Sequence, residues 1–104
     1  MEADGAVNRV VRRYRVAGQV QGVGFRWFVR ERARAADVAG VVFNEADGSV
    51  VVDVAGTPEQ IMRIEDAIAR GPNGAVVDDV SIVLDGDAAQ STLHELPYPF
   101  TIRR

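Results

Sequence analysis

Apolar and polar positions alternate from Arg13 to Val20, with Tyr14, Val16, Gly18 and Val20 on one side of an extended chain and Arg13 and Arg15 on the other. The alternation predicts a first strand, with order beginning near Val10. Gln21-Gly22-Val23-Gly24 breaks it, and the period then changes. Phe25, Phe28, Val29, Arg32, Ala33 and Ala36 fall on one helical stripe, where the stem of Arg32 is long enough to snorkel, so a helix is predicted over 25–36. Val38 to Asn44 is short, apolar and β-branched, and Asp47-Gly48 suits a tight turn before Val50 to Ala55; a hairpin of the second and third strands follows. Thr57-Pro58-Glu59-Gln60 combines an N-cap hydroxyl, a proline at the first helical position and the Gln of a capping box. Ile61, Ile64 and Ile68 continue at helical spacing until Gly71-Pro72 ends the segment. From Ala75 to Leu84 the residues Val80, Ile82 and Leu84 alternate with Ser81 and Val83, which predicts a fourth strand. Residues 85–99 have loop composition, and Phe100-Thr101-Ile102-Arg103 alternates again as an optional short edge strand.

The order βαββαβ, with an optional fifth C-terminal strand, predicts an α+β fold of the ferredoxin-like α/β sandwich type, a mainly antiparallel sheet with two helices on one face. In such a fold the second strand is expected to pair beside the first. The 104 residues suit one domain, assigned to 10–104, with 1–9 as a flexible tail because they carry no sustained periodicity. The fold hosts unrelated functions, RNA binding among them, so function must come from the residues of a site.

Composition narrows the chemistry. At 47% hydrophobic and 26% charged, the chain has the balance of a protein that buries a core. It contains no cysteine, which removes disulfides, thiolate nucleophiles and Cys-based metal sites together. The opening residues lack the apolar stretch of a secretory signal and no run is long enough to span a bilayer, so a cytoplasmic location and no membrane partner are expected. Net charge is −3, which does not favour nucleic acid as a partner. All twelve basic residues are arginine. With so much Ala, Val, Gly and Asp, that reads as the mark of a GC-rich genome.

Two segments carry candidate chemistry. In Gln21-Gly22-Val23-Gly24-Phe25-Arg26, between a strand and the start of a helix, glycines permit backbone angles that turn successive N–H groups into one concavity, and the helix N-terminus adds free N–H groups and partial positive charge. Arg26, in the first helical turn, is placed to bring a forked guanidinium to the same anion. On spacing alone, a glycine turn beside a solvated arginine is an equal reading. Asn44 ends the second predicted strand; its amide both donates and accepts, which suits it to orient a water, while its local setting also fits a residue that merely opens the hairpin turn.

At these segments the sequence resembles the acylphosphatase family, whose phosphate-loop motif is matched by Val20-Gln21-Gly22-Val23-Gly24-Phe25-Arg26. The resemblance continues through Gly40, Asn44, Asp47-Gly48-Ser49-Val50, Gly56, Gly71-Pro72, Ala75, Val77, Val80, Phe100, Ile102 and Arg103. It implies the ferredoxin-like fold, hydrolysis of the carboxyl–phosphate bond of acyl phosphates, a phosphate loop formed by residues 21–26, phosphate binding by Arg26 and water positioning by Asn44. Inorganic phosphate is then product and inhibitor, no metal or cofactor is needed, and a free-standing monomer is expected. Two positions depart from the family pattern. Val41 stands where Trp is common, a packing difference, and Phe43 stands where Lys or Arg is common, an expected loss of positive charge near the mouth of the site.

The inventory also favours an activated substrate on chemical grounds. An ordinary phosphate ester calls for a nucleophile, a metal or a general acid, and the lone His94 lies far in sequence from the phosphate loop. Asp78-Asp79 and Asp85-Gly86-Asp87 have no clustered third ligand and read as solvated turn or edge. Tyr14, Phe25, Phe28 and Phe100 read as core; Trp27 points away from the helical stripe, toward a neighbouring segment or the flank of the site. Two rival readings are an acylphosphatase-like domain of the kind that opens large hydrogenase-maturation proteins, and a ferredoxin-like binding module that senses acyl phosphates or binds RNA without hydrolysis.

Overall fold

A computed structural model describes residues 9–104, so most of the expected tail, 1–9, lies outside the described residues. The elements are β1 (Val10–Gln19), α1 (Phe25–Ala35), β2 (Ala39–Asn44), β3 (Val50–Gly56), α2 (Pro58–Arg70), β4 (Val76–Leu84), α3 (Gly86–Thr92) and β5 (Thr101–Ile102). Their sheet has the order β4-β1-β3-β2-β5, antiparallel except for the β2–β5 pair. The ferredoxin-like sandwich expected from the pattern is the fold observed.

Local rules place the elements. The capping box of α2 is formed as the sequence requires: Thr57 Oγ1 accepts from the Gln60 amide at 3.2 Å, and Gln60 Oε1 accepts from the Thr57 amide at 2.8 Å. Phe25, Val29 and Ala33 of α1 and Ile61, Ile64 and Ile68 of α2 pack on Tyr14, Val16, Val42, Val50, Val52 and Val54 of the sheet. Arg32 lies over the partly buried Phe28 ring at 5.0 Å, as a snorkelling stem would. Tyr14, Phe25 and Phe100 are core residues.

Two expectations are corrected. The stretch 85–99 is not all loop: α3 occupies Gly86–Thr92, with the Asp85 side chain accepting from the Gly86 amide at its start. Ala89 and Leu93, four residues apart, cover Val11 and Ala55 on the sheet face opposite α1 and α2. This second layer explains β3. Its residues Val50 to Ala55 are buried on both faces, as a central strand covered on both sides must be, and the buried Asp53 is held by a bidentate pair with Arg13 at 2.7 and 2.9 Å. The second correction concerns β2, which pairs with β3 and β5 rather than with β1. Because β1 and β2 are both antiparallel to β3, they still point the same way, and Val50 pairs with Val16 on one side and Asn44 on the other. The ends of β1 and β2 therefore meet at one end of the sheet, with one strand between them.

Candidate active site

At that end the chain leaves β1 through Gln21 to Gly24 and enters α1. Gly22 and Gly24 have φ of 76° and 77°, a left-handed conformation that glycine adopts without strain. Gly24 is the N-cap of α1 and no side chain caps the helix, so its first amides face outward unclaimed by a side chain. A cleft of about 230 Å³ opens here. Its walls on the loop and helix side are Val20, Gly22, Gly24, Phe25, Arg26, Trp27 and Arg30; Asn44, Ile102 and Arg104 close it from the strand side. Three arginine side chains and no aspartate or glutamate line it, a setting suited to an anion.

Arg26 and Asn44, assigned from distant parts of the chain, thus share one cleft. Asn44 lies on the helix-covered side of the sheet, in register with Val50, and its Oδ1 is buried with no hydrogen-bond partner. An acceptor so placed costs stability unless something donates to it. The turn that follows Asn44 is fixed by its own contacts. The Glu45 amide donates to the Ser49 carbonyl, and the Asp47 carboxylate accepts from the Ser49 hydroxyl and amide and from Arg15. These donors, the Ser49 hydroxyl first, hold the Asp47 carboxyl well below the usual carboxylate range.

The remaining loop residues divide. Gln21 and Val23 do not line the cleft. The Gln21 side chain turns the other way, and its Nε2 donates to the carbonyls of Glu45 at 2.8 Å and Ser49 at 2.9 Å. Trp27 is 59% exposed at the rim, so it flanks the site rather than packing on a neighbour. His94, near Ser91, and Asp85, paired with Arg12, stand apart from the cleft, and no group of three His, Asp or Glu placed to hold a metal occurs among the described residues.

The two departures from the family pattern lie on the opposite face. Val41 and Phe43 pack with Val51 beneath Leu96. The guanidinium of Arg103 sits 3.8 Å from the Phe43 ring centroid and that of Arg13 5.9 Å away, so the ring carries stacked cations instead of bearing a charge itself. The expected loss of charge at the mouth is therefore corrected: residue 43 does not line the cleft, whereas Arg30 and Arg104 do. Neither was singled out from the sequence. Arg30 had a signal, its i+4 spacing from Arg26, which puts both on one helix face. Arg104 had none, because its position depends on the parallel pairing of Ile102 with Val42.

Fold and cleft together define a ferredoxin-like sandwich with an arginine-lined cleft at the strand ends. Residues 12–92 match the family model described as Acylphosphatase. An acylphosphatase of Rhizobium etli is 42% identical over 90 residues, covering 86% of this chain and 89% of its own, and one of Salinibacter ruber is 46% identical over 68 residues, covering 65% and 72%. The crystal structure of acylphosphatase from Bacillus subtilis superposes with a TM-score of 0.79 at 29% identity, covering 91% of this chain and 99% of that one. A phosphate- and nucleotide-bound full-length HypF gives 0.74 at 26% identity, over 92% of this chain and 12% of that much longer one. The chain belongs to the acylphosphatase family of enzymes.

Proposed function

We propose that the cleft hydrolyses acyl phosphates to a carboxylate and inorganic phosphate. The observation that carries this reading is the buried, unpartnered Asn44 Oδ1 in a cleft that also holds Arg26 and the glycine loop. The outward amides of the loop and helix start, with the Arg26 fork, hold the phosphoryl oxygens and counter charge in the transition state. Asn44 Oδ1 accepts one O–H of the attacking water, which leaves an oxygen lone pair free to face phosphorus. The P–O bond to the acyl group then breaks, and its electron pair leaves on a carboxylate that is stable without protonation. The water proton passes to a phosphoryl oxygen, giving inorganic phosphate, which as product also inhibits. No step is routed through a metal or cofactor.

The working unit of this proposal is residues 10–104 acting as a monomer in the cytoplasm. Release of phosphate from benzoyl phosphate by the wild-type chain, strongly reduced in Arg26→Ala, is the expected result. No hydrolysis above background by wild type would instead support a binding module.

A further inference from the structure

We propose that a cavity on the α3 side of the sheet binds a small zwitterion, an α-amino acid with an apolar side chain. The cavity measures about 440 Å³ and lies between the end of α3, the segment 94–97 and strands β2 and β5. That volume falls within the roughly 300–1,000 Å³ usual for small-molecule sites. It shares one wall residue, Ile102, with the cleft of Arg26 and Asn44, so the two are separate sites. Val41, Leu93 and Leu96 give it apolar surface for a hydrocarbon side chain. Its charged residues sort into a neutralised pair and two open groups. Arg13 and Asp53 cancel each other through their bidentate contact at 2.7 and 2.9 Å. Arg103 and Glu95 remain; both are exposed, and among the described residues neither has an ion-pair partner, each other included. The guanidinium of Arg103 rests its face on the Phe43 ring, 3.8 Å from the centroid, which steadies it and leaves its N–H edge for a carboxylate. The Glu95 carboxylate accepts from an ammonium in the same way. A simple anion would meet Glu95 and a simple cation would meet Arg103, each a like-charge contact. A ligand that carries both charges on one carbon answers both groups.

The test titrates the protein with L-leucine, 4-methylpentanoate and 3-methylbutylamine and follows its backbone amide shifts by NMR. The second and third probes keep the branched chain of leucine but lack its ammonium and its carboxylate respectively. Leucine should bind wild type roughly tenfold more tightly than either, the weight of one partly screened charge-assisted contact, and should shift amides in 93–97 and 101–103. Arg103→Gln and Glu95→Gln should each weaken leucine binding roughly tenfold, whereas Arg26→Ala should leave it unchanged. Glu95 is exposed on a connecting segment, so Glu95→Gln carries the test if Arg103→Gln fails to fold. No saturable binding of leucine by wild type overturns the inference. So does binding of 4-methylpentanoate or 3-methylbutylamine as tight as that of leucine, which would make the site one for a single charge, or leucine binding that falls in Arg26→Ala, which would place the ligand in the other cleft.

Discussion

Gln21 is latched to Ser49: its side-chain amide donates to the Ser49 carbonyl at 2.9 Å and, with the same nitrogen, to the Glu45 carbonyl at 2.8 Å. These carbonyls belong to the turn that follows Asn44, so one side chain ties the glycine loop to that turn. The strands that lead into these two segments are separated by β3, and Arg15 of β1 reaches the same turn through Asp47 at 2.6 Å. Gln21→Ala should lower kcat by roughly tenfold to a hundredfold through misplacement of Asn44, with a smaller effect on inhibition by phosphate, because the backbone of the loop remains. Steady-state kinetics with a check of folding decides it; an unchanged kcat would reduce the latch to a packing detail.

Arg26 is expected to hold phosphate in the ground state and the transition state alike. Arg26→Ala should therefore raise KM, lower kcat and weaken phosphate inhibition together, with a loss in kcat/KM of about 3 kcal/mol, or roughly a hundredfold. Arg26→Lys keeps the charge without the fork and should recover only part of it. Near-normal kinetics for the lysine variant would show that Arg26 acts as a diffuse charge.

Phe43 offers a test of where charge matters. Phe43→Lys would place an ammonium in a buried position between Arg13 and Arg103, and should destabilise the fold by about 1–3 kcal/mol in chemical denaturation. The salt dependence of kcat/KM should stay as in wild type, because the side chain lies across the sheet from the cleft. A gain in kcat/KM at low salt would place it in the substrate's path.

Tyr14 links stability to alkaline pH. Its buried phenol donates to Glu65 at 2.7 Å and accepts from Arg12 at 3.3 Å, and burial first, then the Glu65 carboxylate, push its pKa from 10.0 up to about 12. The unfolded chain loses the proton near 10 and the folded one only near 12. The stabilising contribution is therefore complete below pH 10 and is lost as pH rises through about 12. The chain has no lysine or cysteine, so Tyr14 and Tyr98 are the side chains that titrate in this window. Tyr14→Phe should cost about 1 kcal/mol at pH 7 and flatten the decline above pH 10, as read from urea melts across pH 7 to 11. An equally steep decline in the variant would assign it elsewhere.

What the sequence disclosed and withheld follows the range of the interactions. The Thr57-Pro58-Gln60 start of α2, the stripe of α1 and the Asp47-Gly48 turn are local signals, and each stands where the pattern puts it. The short α3 escaped because seven residues with one buried side chain, Ala89, and Leu93 just beyond their end show no sustained period. The position of β2 beyond β3, the turn of the Gln21 side chain toward Ser49 and the arrival of Arg104 at the cleft depend on pairing across the sheet, which no local window contains. Local spacing left Arg26 and Asn44 open between a functional and a bland reading, and it was the motif resemblance over Val20–Arg26 and at Asn44 that singled them out. Their shared cleft is a property of the fold.

Replacing Asn44 tests whether water positioning and phosphate binding are separate roles. If its Oδ1 accepts from the attacking water and does not grip the phosphate, Asn44→Ala should lower kcat by roughly a hundredfold or more and leave inhibition by inorganic phosphate nearly unchanged. Arg26→Ala should weaken that inhibition, so the two variants part on a single measurement. Stability sharpens the contrast. A buried acceptor without a donor destabilises the fold, so removing it should cost little: Asn44→Ala is expected to melt within a few degrees of wild type, a comparison that circular dichroism supplies. A folded Asn44→Ala protein that kept its kcat would make Asn44 a hairpin residue only. One that lost phosphate affinity as severely as Arg26→Ala would make it part of the phosphate cradle.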